Sequence, residues 1–163
     1  MGANDIIGDG RETWWFVPNG GIASINAPTV TEINAGIRIS QWMTKDGASG
    51  FAADTASAPT SGIEDVFDTS IPGRISYSNM RLRLRSQSGT DVAKTTLVYN
   101  TRGYLVRRKS ITASTAPASG QKVRVFPIAC GEQVDMDYED NMPERYEVPI
   151  FPTATPSSNA AIA

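Results

Sequence analysis

The sequence predicts a mainly β fold, an antiparallel β-sandwich or partial barrel with one or two short α-helices. Three observations carry this. Aromatic and β-branched runs recur along the chain, bounded by Gly, Pro, Asn and Ser. One of them, Met80 to Ser86 (MRLRLRS), alternates strictly, with Arg81, Arg83 and Arg85 on one side and Met80, Leu82 and Leu84 on the other. Only two stretches carry helix signals, and both are short.

Thr13 to Val17 (TWWFV) reads as the first strand, ended by Pro18-Asn19-Gly20-Gly21. In APTVTEINAG, Thr29 and Glu32 have capping-box spacing and Gly36 can close the C-terminus, which predicts a short helix with Val30 and Ile33 facing inward. Ile37 to Met43 alternates and reads as a second strand. Residues 45–73 are rich in Gly, Ala, Ser, Thr and Asp, lack a sustained period, and are expected to form a long loop. Its apolar residues Phe51, Ile63, Val66 and Phe67 need cover, and a neighbouring subunit is one place to find it.

Arg74 to Ser86 reads as one long strand, with a bulge or sharp bend near Ser78-Asn79 to reconcile a change in apolar parity. Thr90 or Asp91 can cap a second helix that presents Ala93 and Leu97, with Val92, Thr96 and Tyr99 alongside, and Gly103 stops it. Tyr104 to Ser110, Lys122 to Cys130 and Arg145 to Phe151 read as three further strands. Pro127, Pro149 and Pro152 each remove a ladder donor, which predicts edges or bulges there. The tail PTATPSSNAAIA is expected to be disordered in an isolated monomer.

The chain's 163 residues fit a single domain with an N-terminal arm (1–12), the long loop (45–73) and a C-terminal arm (152–163). One cysteine, Cys130, excludes an intrachain disulfide and reads as a small core residue. Histidine is absent, which excludes Ser-His-Asp and Cys-His catalysis. No signal peptide or membrane-spanning apolar run is evident, so synthesis in a cytoplasm is the expectation. GDGRET and PNGGIAS match neither a phosphate loop nor a dinucleotide fingerprint. Trp14, Trp15 and Trp42 read as core or interface residues, because their segment is acidic and a base-stacking platform needs interleaved cations.

The acids Glu132, Asp135, Asp137, Glu139 and Asp140 cluster, but the calcium-loop pattern fails for them: counted from Asp135, the sixth position is Asp140 and the twelfth is Tyr146. A solvated acidic loop, or an acidic assembly or lumen face made by Asp135, Asp137, Glu139 and Asp140, is the better reading. No catalytic, metal or cofactor residue is expected. Charge is strongly segregated: −6 over residues 1–73, +10 over 74–124 and −6 over 125–163. The arginine row can therefore be a solvated face, a phosphate-contacting face, or a face that meets acidic segments of another copy. The charge pattern favours the last, which places Arg81, Arg83, Arg85, Phe51, Ile63, Val66 and Phe67 at a subunit interface.

Taken in order, APTVTEINAG, MTKDG, VFDTSIPGR, LVYNTRGYLVRRK and SGQKVRVFPIACGE resemble the major tail tube proteins of long-tailed, non-contractile bacteriophages, particularly those of actinobacteria. The resemblance spans about residues 13–151, and the order of the blocks carries it more than any one of them. It implies hexameric rings with a shared inner β-barrel, stacked into a virion tail tube around a tape-measure protein, with a tail terminator as a further partner. It implies double-stranded DNA as passing cargo, no cofactor and no membrane. It also implies ring-to-ring contacts by the long loop and the terminal arms. A conduit that bound phosphates would stall its cargo, so Arg81, Arg83 and Arg85 are expected to lie off the channel and any lumenal charge to be net negative. The alternatives are another β-rich virion component, such as a tail terminator or head decoration protein, and a β-barrel nucleic-acid-binding protein.

Overall fold

The computed structural model describes residues 4–163, so the first three residues of the expected N-terminal arm lie outside it. Strand β1 (Glu12–Pro18) is buried from Thr13 to Val17. Both of its faces are covered, which is why it reads as an unbroken apolar run. Helix α1 (Val30–Asn34) has the expected capping box: the Glu32 N–H donates to the Thr29 hydroxyl at 3.2 Å, and the Thr29 N–H donates to the Glu32 carboxylate at 2.8 Å. Ile33 is fully buried beneath it. Gly36 serves a close approach, since a Cβ there would stand 2.6 Å from the Phe16 carbonyl oxygen.

The strand expected over Ile37–Met43 is broken. Only β2 (Ile37–Arg38) pairs with β1, and a turn closed by the Trp42 N–H to the Ile39 carbonyl leads into β3 (Met43–Ser49). The expected loop over 45–73 is mostly ordered strand. β4 (Asp54–Pro59) and β5 (Ser70–Ser76) form an antiparallel hairpin that, among the described residues, pairs with no other strand. With both faces exposed, neither strand needs alternating polarity, so no period marks them.

The bend near Ser78-Asn79 is present, and it separates two strands instead of bulging one. Asn79 takes a left-handed φ of 53°, and β6 (Arg81–Arg85) follows it. Gly50 answers it on the opposite strand, with φ 75° and no room for a Cβ against the Asn79 carbonyl. β3 and β6 pair as far as Ser49 and Arg81, the ribbon bends, and β4 and β5 continue it outward. Phe51 and Met80 turn inward at the bend and are buried.

Helix α2 (Val92–Thr96) is capped by Asp91, which accepts from the Lys94 N–H at 3.1 Å. It buries Ala93 and Leu97 but leaves Tyr99 exposed, because it ends before Tyr99 can join its face. Gly103 is not its stop. It lies in β7 (Arg102–Lys109), where a Cβ would meet the Val17 carbonyl oxygen at 2.5 Å. β8 (Lys122–Cys130), β9 (Val134–Asp135), β10 (Arg145–Pro152) and β11 (Ala160–Ala161) complete the chain.

Among the described residues nine strands form one curled half-barrel sheet, with all ladders antiparallel. The order is β2-β1-β7-β8-β10-β6-β3, with β11 on β8 and β9 on β10. One face gathers Trp14, Phe16, Leu82, Leu84, Leu105, Phe126 and Val148 into the main core, where Phe51 packs 4.9 Å from Trp14 and 5.3 Å from Phe126 between ring centres. The other face packs Trp15, Val17, Val106 and Val125 under Ile33 of α1 and the C-terminal residues Ala160 and Ile162.

Two expectations are corrected here. β8 is interior, between β7 and β10 with β11, although it contains Pro127. The proline fits because its carbonyl accepts from Thr153 N–H, just past the last β10 pair at Pro152 and Ile128, so its missing donor points into a gap between ladders. The C-terminal segment is docked on its own chain from Ser157 onward. Ser157 donates its N–H to the Val125 carbonyl and accepts the Val125 N–H on its hydroxyl, and Ile162 is 2% exposed.

Candidate assembly surfaces

β6 places the arginine row on the face opposite Leu82 and Leu84, which are fully buried. Its partners come from the same chain. Glu147, directly across from Arg83 in the β10 ladder, pairs with both Arg83 at 2.9 Å and Arg81. Arg83 also pairs with Asp46 of β3. Arg85 donates to the Gln41 carbonyl at 2.6 Å. Burial pushes the Glu147 carboxyl up, but the hydrogen bonds from Arg83 and Arg81 more than offset it, so it stays ionised below the ordinary range. Asp46 is held low first by the Thr44 hydroxyl, with Arg83 adding to it. Arg81 and Arg83 are thus paired within the subunit and Arg85 is held by backbone carbonyls, all by neighbours that the fold brings near.

The sequence-predicted interface residues separate in space. Phe51 is a correction: at 4% exposure it anchors the hairpin base in its own core and offers nothing to a neighbour. Ile63, Val66 and Phe67 stand together at the hairpin tip, Ile63 and Val66 fully exposed and Phe67 at 76%. Thr60 and Thr69 close the neck of that tip through a 2.7 Å hydroxyl contact. Ile71 and Ile75 extend the exposed apolar surface down β5. A solvated chain gains nothing from displaying such residues, which is the mark of a surface that is covered elsewhere.

The acidic stretch is exposed but partly committed. Asp135 reaches Lys94 at 3.5 Å and Glu139 pairs with the buried Arg145 at 3.1 Å, while Asp137 and Asp140 face solvent. No group of three or more His, Cys, Asp or Glu among the described residues is arranged to hold a metal ion.

A second cationic surface escaped the sequence reading. In the β7–β8 ladder Arg107 stands directly opposite Arg124, the last pair of the ladder, and Lys109 and Lys122 line the same groove just beyond it. Like charges in these positions are unfavourable. Arg107 is relieved by Glu12 at 3.2 Å and by the Trp14 ring at 5.4 Å. Arg124, Lys109 and Lys122 have no ion-pair partner among the described residues. The signal was present in QKVR, where Lys122 and Arg124 alternate as the arginines of MRLRLRS do, and in RRK, where Arg107 and Lys109 fall two apart. Arg108 between them points the other way and is fully buried, against the Trp15 ring at 5.0 Å.

A family model described as phage tail tube protein matches residues 1–163. No curated protein matches the sequence. Among solved structures, a chain of the "Cryo-EM structure of the anti-feeding prophage (AFP) baseplate, 6-fold symmetrised" superposes with a TM-score of 0.59 at 10% identity. The alignment covers 100% of this chain and 98% of that one. At that identity the likeness is one of fold.

Proposed function

We propose, from the premise that this chain belongs to the phage tail tube protein family, that it self-assembles into stacked hexameric rings whose lumen conducts DNA into the host. It is a structural protein of the virion tail. In the proposed reading it works by assembly and not by catalysis, with a tape-measure protein inside the tube and a terminator at its end. The assignment to long, non-contractile tails rests on the ordered sequence blocks.

The observation that carries the reading beyond family membership is the β4–β5 hairpin. Among the described residues it pairs with no other strand, yet it is fixed at its base by Phe51 and Met80 and carries Ile63, Val66 and Phe67 exposed at its far end. Such a ribbon suits contact between successive rings. Arg81, Arg83 and Arg85 belong, in this reading, to a face bonded within its own subunit and turned away from the channel, and exposed Asp137 and Asp140 to an acidic or lumenal face. Electron microscopy of the purified protein tests the reading. Long hollow cylinders of uniform width are expected. A protein that remains monomeric at millimolar concentration, or closes into single rings without stacking, would sink it.

A further inference from the structure

The hairpin tip is acidic as well as apolar. Its sequence, Ile63 to Asp68, is IEDVFD, and all of it is exposed. Asp65 is used locally, accepting from the Gly62 N–H at 2.6 Å. Glu64 and Asp68 have no ion-pair partner among the described residues. The tip therefore presents the Glu64 and Asp68 carboxylates, without ion-pair partners among the described residues, beside Ile63, Val66 and Phe67.

The β7–β8 face presents the complement. A groove of about 420 Å³ is lined by Arg107, Lys109, Ser110, Lys122, Val123 and Arg124. The long aliphatic stems of the basic residues give it apolar walls beneath charged heads. Arg107 is paired with Glu12, but Arg124, Lys109 and Lys122 have no ion-pair partner among the described residues, and an acidic partner would relieve their mutual repulsion.

We infer that the IEDVFD tip of one copy docks in the β7–β8 groove of a second copy, with Glu64 and Asp68 meeting Lys109 and Lys122 while the apolar side chains lie along the basic stems. This rests on the tube reading and names the receptor for its stacking element. The tip fits better than the 132–144 stretch, where Asp135 and Glu139 already have partners and the exposed apolar residues Val134, Tyr138 and Met142 are spaced four apart. DNA phosphates would also suit the cations, but they would leave the tip's apolar residues uncovered.

Charge exchange tests the docking. Glu64→Lys/Asp68→Lys makes the tip basic, and Lys109→Glu/Lys122→Glu makes the groove acidic. All four side chains are exposed, so both variants should fold. Each alone is expected to lose tubes or need at least about tenfold more protein to form them. An equal mixture should restore assembly, since each reversed tip then meets an opposite groove. A chain carrying all four substitutions should also assemble.

Wild-type tubes that persist after either reversal, or a mixture that fails to restore them, would overturn the docking and leave the tube reading standing. So would loss of tubes on Asp137→Lys/Asp140→Lys but not on tip reversal. Retardation of a duplex DNA fragment that disappears with Lys109→Glu/Lys122→Glu while tubes remain would assign the groove to DNA instead. If wild type makes no tubes, sedimentation still reads the contact: salt-sensitive association abolished by each reversal and regained on mixing supports it, and a monomer at every concentration overturns it.

Discussion

Glu147 sits between two guanidinium groups and shows how a row of cations becomes a stable strand. Removing it would leave Arg81 without a carboxylate partner and Arg83 with Asp46 alone. Glu147→Gln is expected to cost about 1–3 kcal/mol at pH 7, read as a Tm lower by several degrees. The pH dependence has a definite sign. The Glu147 carboxyl ionises below its ordinary 4.5 in the folded chain, so its contribution is complete above that value and is lost as pH falls through the folded pKa. Wild type should therefore lose stability below about pH 4.5 more steeply than Glu147→Gln does. Asp46 and Glu32 are depressed as well and keep the variant's slope above zero. Arg108 is the opposite case, a buried cation held by neutral oxygens. It donates to the Thr115 carbonyl at 2.8 Å, the Thr112 carbonyl at 3.4 Å, the Thr13 hydroxyl at 3.4 Å and the Gln121 amide oxygen at 3.0 Å. Desolvation and the nearby Arg38 both disfavour its charge. It ties the 110–121 connection to the sheet. Arg108→Ala should cost about 2–4 kcal/mol, and Arg108→Lys should not rescue it, because one ammonium cannot replace a planar fork with several donors. Thermal melts check both. Cys130, buried with its thiol pushed up to about 11, should resist thiol reagents until the chain unfolds.

At the scale of elements, what could be read from sequence was what is decided locally. Helix α1 was legible because Thr29 and Glu32 satisfy each other's backbone within one turn. The inward parity of Leu82 and Leu84 was legible because a strand's period is two. The hairpin was not, because Ser, Ala, Thr and Asp in strands exposed on both sides leave no pattern, and Phe51 could not be told from Phe67 because only tertiary neighbours separate a buried anchor from an exposed tip. The C-terminal segment failed for the same reason: Ser157, Ala160 and Ile162 are small or isolated, and their site lies on β8. That docking makes a clear prediction. Deleting 157–163 exposes Val123 and Val125 and removes a buried isoleucine, so it should cost about 2–4 kcal/mol in the unassembled subunit. The hairpin predicts the reverse separation. Replacing residues 61–68 by Asn-Gly, which suits a two-residue hairpin turn, should leave the subunit's Tm within a degree or two while abolishing long tubes. Normal tubes after that replacement would remove the tip from the account of stacking.

Across the whole molecule, one curled sheet buries both its faces and leaves two features unspent, an acidic apolar tip and a basic groove. The segregation of charge along the chain was visible from the start, but its meaning changed with the fold. Arg81 and Arg83 are answered by Glu147 and Asp46 of their own subunit, whereas Lys109 of β7 and Lys122 and Arg124 of β8 have no ion-pair partner among the described residues. The family is a tube-forming one, and the subunit has the unequal surfaces that head-to-tail assembly needs. A cryo-EM reconstruction of cylinders grown from the purified protein tests this most directly. The account predicts six copies per ring, the Ile63–Asp68 tip seated on a subunit of the adjoining ring, and Arg81, Arg83 and Arg85 turned away from the channel. A map with the arginine row lining the lumen, or with the tip free in solvent, would contradict it.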